Sequence, residues 1–339
     1  MHIFSKSELI EVATFRSGDD HDNEGHFLKD QSGKILRDNI WGTLEQDTFR
    51  RDFTINALYY CPLSGKVEDH NSGIKHIKDK KIISIGDPLK RFSEDPVRSL
   101  RAIRFSNKLN FKIDKNIKDA IYKKGHLLSN ISNARIFDEF CKMFLNGLGE
   151  KNFKKLVSFG LNKYLLVTSH NESDISKKLI NEALRNTDSR VKNNQSVTPG
   201  FLIAAMLWPE LLKRSSKNRE INLRKYFRSM DQILRSQQKI TAIPRKFHTY
   251  IKDIWVLQLK LHSRIGKQPY KTVNHPRFRA AYDFLLVRER ACDCKGVLGD
   301  WWTKFQKNDR IQQKSLIAEL KDFNDKESHK KFGFTEELI

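Results

Sequence analysis

The stretches RRDFTINAL (residues 50–58) and EDPVRSLRAIRF (residues 94–105) decide the fold of this chain. Each places acidic residues and arginines at helical spacing beside apolar residues, so that charged side chains share a surface while apolar ones face a core. Arginine guanidinium groups beside carboxylates can bind the phosphates of a polyanionic substrate and the edge of its base. The two stretches therefore predict a nucleotide site.

The second stretch predicts a helix that reads a base. Asp95 before Pro96 is typical of an N-cap followed by proline at the first helical position. Asp95, Arg98 and Arg101 then follow at three-residue steps along one face. A carboxylate beside a guanidinium matches the pairing edge of adenine and equally that of cytosine, but not that of guanine or uracil. The alternative is a surface ion pair at a capped helix start.

The first stretch offers groups for the phosphates. Arg50 and Arg51 can donate to a triphosphate, and Asp52 is a carboxylate that can bind a metal or a ribose. Asn56 follows one turn after Asp52. The alternative is that these residues form a solvated helix start.

Charge indicates the kind of partner. The chain has 63 Lys and Arg against 41 Asp and Glu, a net charge of +22. Such an excess favours nucleic acid through counterion release, although basic residues can also serve solubility. Because the positive charges are spread along the chain, an anionic membrane is a poorer match.

Location can also be predicted. The sequence contains no run of about 18 apolar residues, which is the length that a membrane-spanning helix needs. The first residues lack a signal pattern, and the four cysteines lack zinc-site spacing. We expect no membrane association and a cytoplasmic location.

Apolar periodicity predicts an α+β, predominantly α-helical fold. Residues 9–15 are predicted as a strand, residues 53–60 as a short helix capped by Asp52 that runs into a strand, and residues 66–69 and 81–85 as strands or a hairpin. From Glu94 onward the spacing is helical.

Two helical faces show this spacing. Val97, Leu100, Ile103 and Arg104 share one side of a helix, and the apolar residues of 278–286 follow the same template. We expect four parts: an α/β head over 1–90, a nucleotide-selecting helical neck over 91–150, an RNA-binding helical body and tail over 151–310, and a C-terminal tail over 311–339.

The chain resembles the class II polynucleotide nucleotidyltransferases, which comprise CCA-adding tRNA nucleotidyltransferases and bacterial poly(A) polymerases. Residues 10–16, 50–60 and 94–105 carry this resemblance. It is closer to the bacterial poly(A) polymerases in four further stretches, residues 36–42, 201–208, 253–259 and 275–283. The similarity extends from the first residues to about residue 307.

The resemblance implies a polymerase-β-like head, a neck that selects ATP, and a body that holds an RNA 3′ end. The implied reaction is template-independent adenylyl transfer, in which the RNA 3′-hydroxyl attacks the α-phosphate of ATP at a centre with two Mg²⁺ ions. Two alternatives stay open: a CCA-adding enzyme, and an inactive RNA-binding paralogue.

The resemblance also implies roles for single residues. Asp52 and Glu11 match catalytic carboxylates, and Glu11 is in addition the implied metal ligand. Six residues match nucleotide contacts: Arg51 and Asn56 for triphosphate and ribose, Asp95 with Arg98 for the base, and Arg101 and Arg104 for phosphates. For Arg101 and Arg104, anchoring of a helix face is an equal alternative.

One part of the family pattern is missing from the sequence. Family members carry a Gly-rich turn and an Asp-x-Asp pair before the strand that ends here at Phe15, and residues 20–22 (DHD) follow that strand in a polar loop. We therefore expect an incomplete head and an N-terminally truncated, inactive chain. Farther along, Trp301 and Trp302 are either stacking platforms for RNA or core residues.

Overall fold

Short capped helices and two-stranded sheets build the N-terminal part of the protein. The computed structural model describes residues 1–5, 8–16, 41–167, 173–217, 220–294 and 296–327. The chain divides into two compact units, residues 1–125 and 126–339. The predicted polar loop with the DHD stretch, and most of residues 36–42, lie outside the described residues. The four-part division stays a prediction.

The first unit contains five helices and six strands among its described residues. The helices are α1 (Leu44–Phe49), α2 (Gly73–Lys78), α3 (Pro88–Glu94), α4 (Arg98–Leu109) and α5 (Lys115–Lys124). The strands are β1 (His2–Ser5), β2 (Glu8–Glu11), β3 (Leu58–Cys61), β4 (Lys66–Asp69), β5 (Lys81–Ile82) and β6 (Lys112–Ile113).

The strands pair two by two. β1 pairs with β2 and β3 with β4, both antiparallel, whereas β5 and β6 are parallel. The predicted strand over 9–15 is therefore shorter than expected, since β2 ends at Glu11. The strand predicted over 81–85 is regular only at Lys81–Ile82, and Ser84 then bridges to Phe53.

Local sequence explains where the helices begin. Thr43 and Gln46 form a capping box for α1, in which Gln46 N donates to Thr43 Oγ1 and Thr43 N donates to Gln46 Oε1. Asp87 caps α3 with Pro88 in its first turn, and Asp114 caps α5. These caps satisfy amide groups that a helix start otherwise leaves without a partner.

Two predicted caps are wrong. Asp95 is the residue after α3, and its Oδ1 accepts from Val97 N, while α4 begins at Arg98 without a side-chain cap. A turn over residues 96–97 separates the two helices, so Pro96 is not a helical residue. After Asp52 the chain forms a 3-10 turn, Thr54–Asn56, which runs into β3. The short helix and strand are confirmed, but that turn has no side-chain cap.

The apolar side of α4 forms the core of the first unit. Val97, Leu100 and Ile103 are buried as the spacing predicts. Phe53 is also fully buried, and its ring contacts that of Phe105 edge-to-face at 6.1 Å. This packing fixes the RRDFTINAL stretch beside α4.

Among its described residues, the second unit is helical apart from one antiparallel strand pair. Its helices are α6 (Asn133–Phe144), α7 (Gly149–Ser158), α8 (Asp174–Lys192), α9 (Pro199–Ser215), α10 (Leu223–Gln238), α11 (Arg245–Lys260), α12 (Gln268–Val273), α13 (Phe278–Arg290), α14 (Val297–Lys307) and α15 (Arg310–Glu327). The strand pair consists of β7 (Ser216–Lys217) and β8 (Glu220–Ile221). Further 3-10 turns are Gly125–Asn130 and Asn162–Tyr164.

Helix α9 is the centre of this unit. Its residues 202–208 are all buried, because α8, α10 and α11 pack around it. The fully buried pair Arg288 and Asp293 lies beside it, and Trp208 Nε1 donates to Asp293 Oδ2 at 3.2 Å. Hydrogen-bonded pairing of this kind is what makes a buried charge tolerable.

The helical face predicted over 278–286 is confirmed. Phe278, Ala281, Tyr282 and Leu285 join a core with Trp302, and Leu286 packs against it. Trp301 and Trp302 are both buried there, and Trp302 Nε1 donates to the carbonyl of Leu261 at 2.9 Å. The packing interpretation of the two tryptophans is therefore confirmed. No helix in the described ranges is long and apolar enough to cross a membrane.

Candidate nucleotide site

The two deciding stretches meet in one pocket of the first unit. This pocket has a volume of about 200 Å³. Its lining residues are Arg50, Arg51, Asp52, Asn56, Asp95, Arg98 and Arg101. All seven come from the two stretches that the sequence singles out.

Asp52 organises the floor of this pocket. Only 7% of the residue is exposed. Its Oδ2 accepts from Arg101 Nε at 2.6 Å, and its Oδ1 accepts from Asn56 Nδ2 at 3.0 Å and Phe53 N at 2.9 Å. Asp52 thus holds two pocket side chains in place through charge-assisted hydrogen bonds.

A carboxylate behind the pocket holds the first two arginines. Asp47 is 1% exposed, and its Oδ1 accepts from Arg50 Nε at 2.7 Å. Its Oδ2 accepts from Arg51 Nη2 at 2.7 Å and from the Tyr59 hydroxyl. Burial opposes ionisation of Asp47, but the hydrogen bonds from Tyr59, Arg51 and Arg50 outweigh it and lower its pKa to about 2.

Arg91 fixes the backbone beneath the same arginines. Its Nη2 donates to the carbonyls of Phe49, Arg50 and Arg51 at 3.3, 2.7 and 2.9 Å. Its Nη1 pairs with Glu94 at 3.0 Å. Arg91 is not among the residues that line the pocket, so it acts as a positioning residue.

Arg98 lies at the start of α4 with 11% of its side chain exposed. Its Nη1 donates to the carbonyl of Arg91 at 3.2 Å, and its Nη2 lies 3.5 Å from the carbonyl of Arg50. Burial and the neighbouring charge of Arg91 lower the pKa of Arg98. Asp95, three residues earlier, lines the same pocket.

The structure does not bring every predicted site residue here. Glu11 is exposed on β2, and Arg104 stacks on the ring of Phe105 at 4.4 Å. Neither lines the described pocket. Arg101 lines the pocket, and the roles of Arg101 and Arg104 as phosphate contacts or helix-face anchors stay predictions.

Sequence reasoning missed three supporting residues, Asp47, Tyr59 and Arg91. For Asp47 a signal existed, because it precedes Arg50 and Arg51 by three and four residues, the spacing of helical ion pairs. The partners of Tyr59 and Arg91 lie 12 and about 40 residues away along the chain. No local pattern indicates contacts of that kind.

Comparison with known proteins identifies the family. Profiles described as "Poly A polymerase head domain", "Probable RNA and SrmB- binding site of polymerase A" and "Polymerase A arginine-rich C-terminus" match residues 1–83, 110–169 and 220–332. They cover most of both compact units.

Sequence relatives agree with these profiles. Poly(A) polymerase I of Haemophilus influenzae is 37% identical over 97% of this chain and 75% of its own length. Its counterpart in Escherichia coli O157:H7 is 38% identical over 94% of this chain and 71% of its own length. A CCA-adding enzyme of Lactococcus lactis subsp. lactis is more distant, with 28% identity over 85% of this chain and 64% of its own length.

Solved structures show the same fold. An apo CCA-adding enzyme superposes with a TM-score of 0.58 and 19% identity, covering 92% of this chain and 68% of that one. A tRNA nucleotidyltransferase with a primer tRNA and an ATP analogue superposes with a TM-score of 0.53 and 17% identity. The match covers 84% of this chain and 74% of that one. The predicted α+β, mainly helical fold with a nucleotidyltransferase head is confirmed, and the chain belongs to the poly(A) polymerase I family of nucleotidyltransferases.

Proposed function

We propose that this protein transfers AMP from ATP to the 3′ end of RNA without a template. The RNA 3′-hydroxyl attacks the α-phosphate, a new phosphodiester forms, and pyrophosphate leaves. The observation that carries this proposal is the pocket in which Arg50, Arg51, Arg98 and Arg101 converge with Asp52 and Asp95. Relatives with the stronger match are poly(A) polymerases, which favours ATP over the CTP and ATP of a CCA-adding enzyme.

In this proposal Arg50, Arg51 and Arg101 contact the triphosphate. Each guanidinium donates to a buried carboxylate, which fixes the orientation of its plane in the pocket. Groups fixed before binding lose little freedom when phosphate oxygens arrive. Asn56 is held by Asp52 and supports the ribose contact.

Asp95 and Arg98 are the proposed base readers. A carboxylate accepts from the exocyclic amino group, and a guanidinium donates to the ring nitrogen. The backbone carbonyls of Arg91 and Arg50 hold the guanidinium group of Arg98 in one orientation. A guanine or uracil edge presents an acceptor where Asp95 needs a donor, so these bases are rejected.

Membership of the family implies a metal cofactor, and magnesium is the ion that we propose. The described residues do not fit its ligand set by themselves, because no group of three or more potential metal ligands occurs among them. Asp47 and Asp52 are engaged with arginines. The roles of Asp52 and Glu11 in catalysis, and of Glu11 at a metal, stay predictions.

RNA is the polymeric partner in this proposal. A profile for a probable RNA-binding site matches residues 110–169, and the net charge of +22 attracts a polyanion. We also propose a cytoplasmic location, in agreement with four free cysteines, Cys61, Cys141, Cys292 and Cys294.

Calorimetric titration with each nucleoside triphosphate tests the site. ATP should bind, GTP and UTP at least about tenfold more weakly, and Arg98→Ala should remove most of this difference because it deletes a base contact. Lys108→Ala, exposed near the end of the same helix, is the control. Equal affinity for all four nucleotides would contradict base selection by this pocket.

Incorporation distinguishes the two enzyme classes. The complete gene product is incubated with a generic RNA, magnesium and single nucleotides. Tails made with ATP alone support the proposal, CTP addition to tRNA ends indicates the CCA-adding alternative, and no incorporation indicates an RNA-binding paralogue.

A further inference from the structure

A histidine outside the nucleotide pocket is hydrogen-bonded to the RRDFTINAL stretch. His76 lies on α2, and its Nδ1 is 3.0 Å from Thr54 Oγ1, a hydrogen bond between residues 22 positions apart. Thr54 begins the 3-10 turn that ends at Asn56. Neither His76 nor Thr54 lines the pocket, so neither contacts the nucleotide directly in the proposed site.

Helix α2 approaches this turn closely with one face. Gly73 and His76 are three residues apart and therefore share that face. A Cβ on Gly73 would lie 2.5 Å from the carbonyl oxygen of Thr54, so glycine is needed for this approach. Asp69 fixes the start of the helix, because its Oδ1 accepts from Gly73 N at 2.8 Å. His76 thus reaches Thr54 from a helix that is held in place.

Backbone contacts hold the chain as it enters the turn. Thr54 N donates to the carbonyl of Ile83 at 3.0 Å, and Phe53 forms a β-bridge with Ser84. Asn56 N then donates to the carbonyl of Phe53 at 2.9 Å, within the turn itself. The hydrogen bond between the Thr54 side chain and α2 adds a second anchor, on a different element.

Burial of the Thr54 hydroxyl makes this second anchor important. Thr54 is 4% exposed. Its hydroxyl is therefore shielded from water, and a buried polar group that loses its partner is costly. Without His76 the turn would have to move until the hydroxyl reached another partner. Asn56, two residues later, would move with it.

Asn56 connects the turn to the pocket. Its Nδ2 donates to Asp52 Oδ1 at 3.0 Å, and both residues line the pocket. Arg50 and Arg51 depend on a different anchor, since Asp47 holds them. A shift of the turn should therefore disturb the ribose side of the proposed site more than its phosphate side.

We propose that His76 is a positioning residue for the ribose of the incoming nucleotide. It acts through the Thr54 hydroxyl, which fixes the turn that carries Asn56. This inference rests on the proposed function, because it takes Asn56 as the ribose contact. It adds a residue of α2 to a pocket that is lined by the two deciding stretches.

Two ligands separate the ribose side from the phosphate side. The complete protein is titrated calorimetrically with ATP and with sodium triphosphate, which has neither ribose nor base. His76→Leu should weaken ATP binding about fivefold, because Asn56 is displaced, and should leave triphosphate affinity within about twofold. Equal losses for the two ligands, or an unchanged ATP affinity, would overturn the proposal.

A conservative replacement distinguishes the hydrogen bond from packing. Asparagine carries polar side-chain atoms two bonds from Cβ, as histidine does at Nδ1. His76→Asn should therefore keep ATP affinity within about twofold of the wild type. His70→Leu makes the same change as His76→Leu at an exposed position and should bind ATP as the wild type does. If His76→Asn is as weak as His76→Leu, packing explains the effect and the proposal is wrong.

A double-mutant cycle tests whether Thr54 transmits the effect. Thr54→Val keeps the shape of the side chain, removes the hydroxyl and should weaken ATP binding about fivefold. The double variant with His76→Leu should bind ATP no more weakly than either single variant, because both changes remove one hydrogen bond. Multiplied losses, about 25-fold together, would show that the two residues act separately and would contradict the proposal.

Folding and the proposed function are checked separately. Urea unfolding followed by circular dichroism shows whether each variant is folded; if His76→Leu is not, Thr54→Val with the same two ligands decides by the same criteria. A wild type that binds ATP no more tightly than triphosphate would overturn the ribose and base contacts of the proposed function. A wild type that prefers ATP, with the full preference kept in His76→Leu, would overturn the assignment of His76 alone.

Discussion

Replacing Asp47 by asparagine should loosen the nucleotide pocket from behind. Asp47 is 1% exposed and accepts hydrogen bonds from Arg50, Arg51 and Tyr59. Its pKa falls from 3.8 to about 2 in the folded protein. At about 1.4 kcal/mol for each pKa unit, this corresponds to about 2–3 kcal/mol of stability at neutral pH.

The pH dependence has a definite sign. Because folding depresses the pKa of Asp47, its contribution is complete above about pH 4 and is lost as the pH falls towards 2. Urea unfolding followed by far-ultraviolet circular dichroism gives the free energy of unfolding of wild type and Asp47→Asn. Their difference should be constant from pH 8 to pH 5 and shrink below pH 4.

Asp119→Asn is the matched control, because Asp119 is exposed on α5 and makes the same charge change. It should cost less than about 0.5 kcal/mol. Equal unfolding of the two variants at pH 7 would refute the role of Asp47 as an anchor. ATP titration adds a second readout, in which only Asp47→Asn weakens binding, because Arg50 and Arg51 lose their orientation.

Three other changes have defined outcomes. Arg91→Met should weaken ATP binding about tenfold, although Arg91 does not line the pocket, because three backbone carbonyls lose their hydrogen-bond donor. Calorimetric titration with ATP checks this, and unchanged affinity would contradict it. Gly73→Ala should destabilise the first unit by about 1–3 kcal/mol in urea unfolding, since its Cβ would lie 2.5 Å from the carbonyl oxygen of Thr54. Trp302→Phe should lower the thermal midpoint through the lost hydrogen bond to the Leu261 carbonyl and lost packing, but leave RNA affinity unchanged, whereas a stacking role would reduce that affinity.

The sequence could predict the pocket because its parts are local. Residues 50–58 and 94–105 each carry their charged groups within about three helical turns, so spacing alone shows which side chains share a face. The burial of Val97, Leu100 and Ile103 then follows from the same periodicity. Once these apolar residues pack beside Phe53, the two charged faces meet.

Other features depend on contacts that spacing does not show. Asp95 follows the expected sequence rule for a cap, but a two-residue turn places it outside α4. The placement of Glu11 came from resemblance, and β2 pairs only with β1 among the described strands. Arg91 binds carbonyls about 40 residues away, a relation that only the folded chain creates.

Stability and substrate selection are coupled in this pocket. Asp47 and Asp52 are buried acids, and buried acids are costly unless donors satisfy them. Arg50, Arg51 and Arg101 supply those donors, and all three also line the pocket. The same ion pairs that stabilise the first unit therefore fix the direction of the phosphate-binding groups. A substitution behind the pocket should consequently reduce ATP affinity as strongly as one inside it, and loss of either buried carboxylate should reduce stability and affinity together.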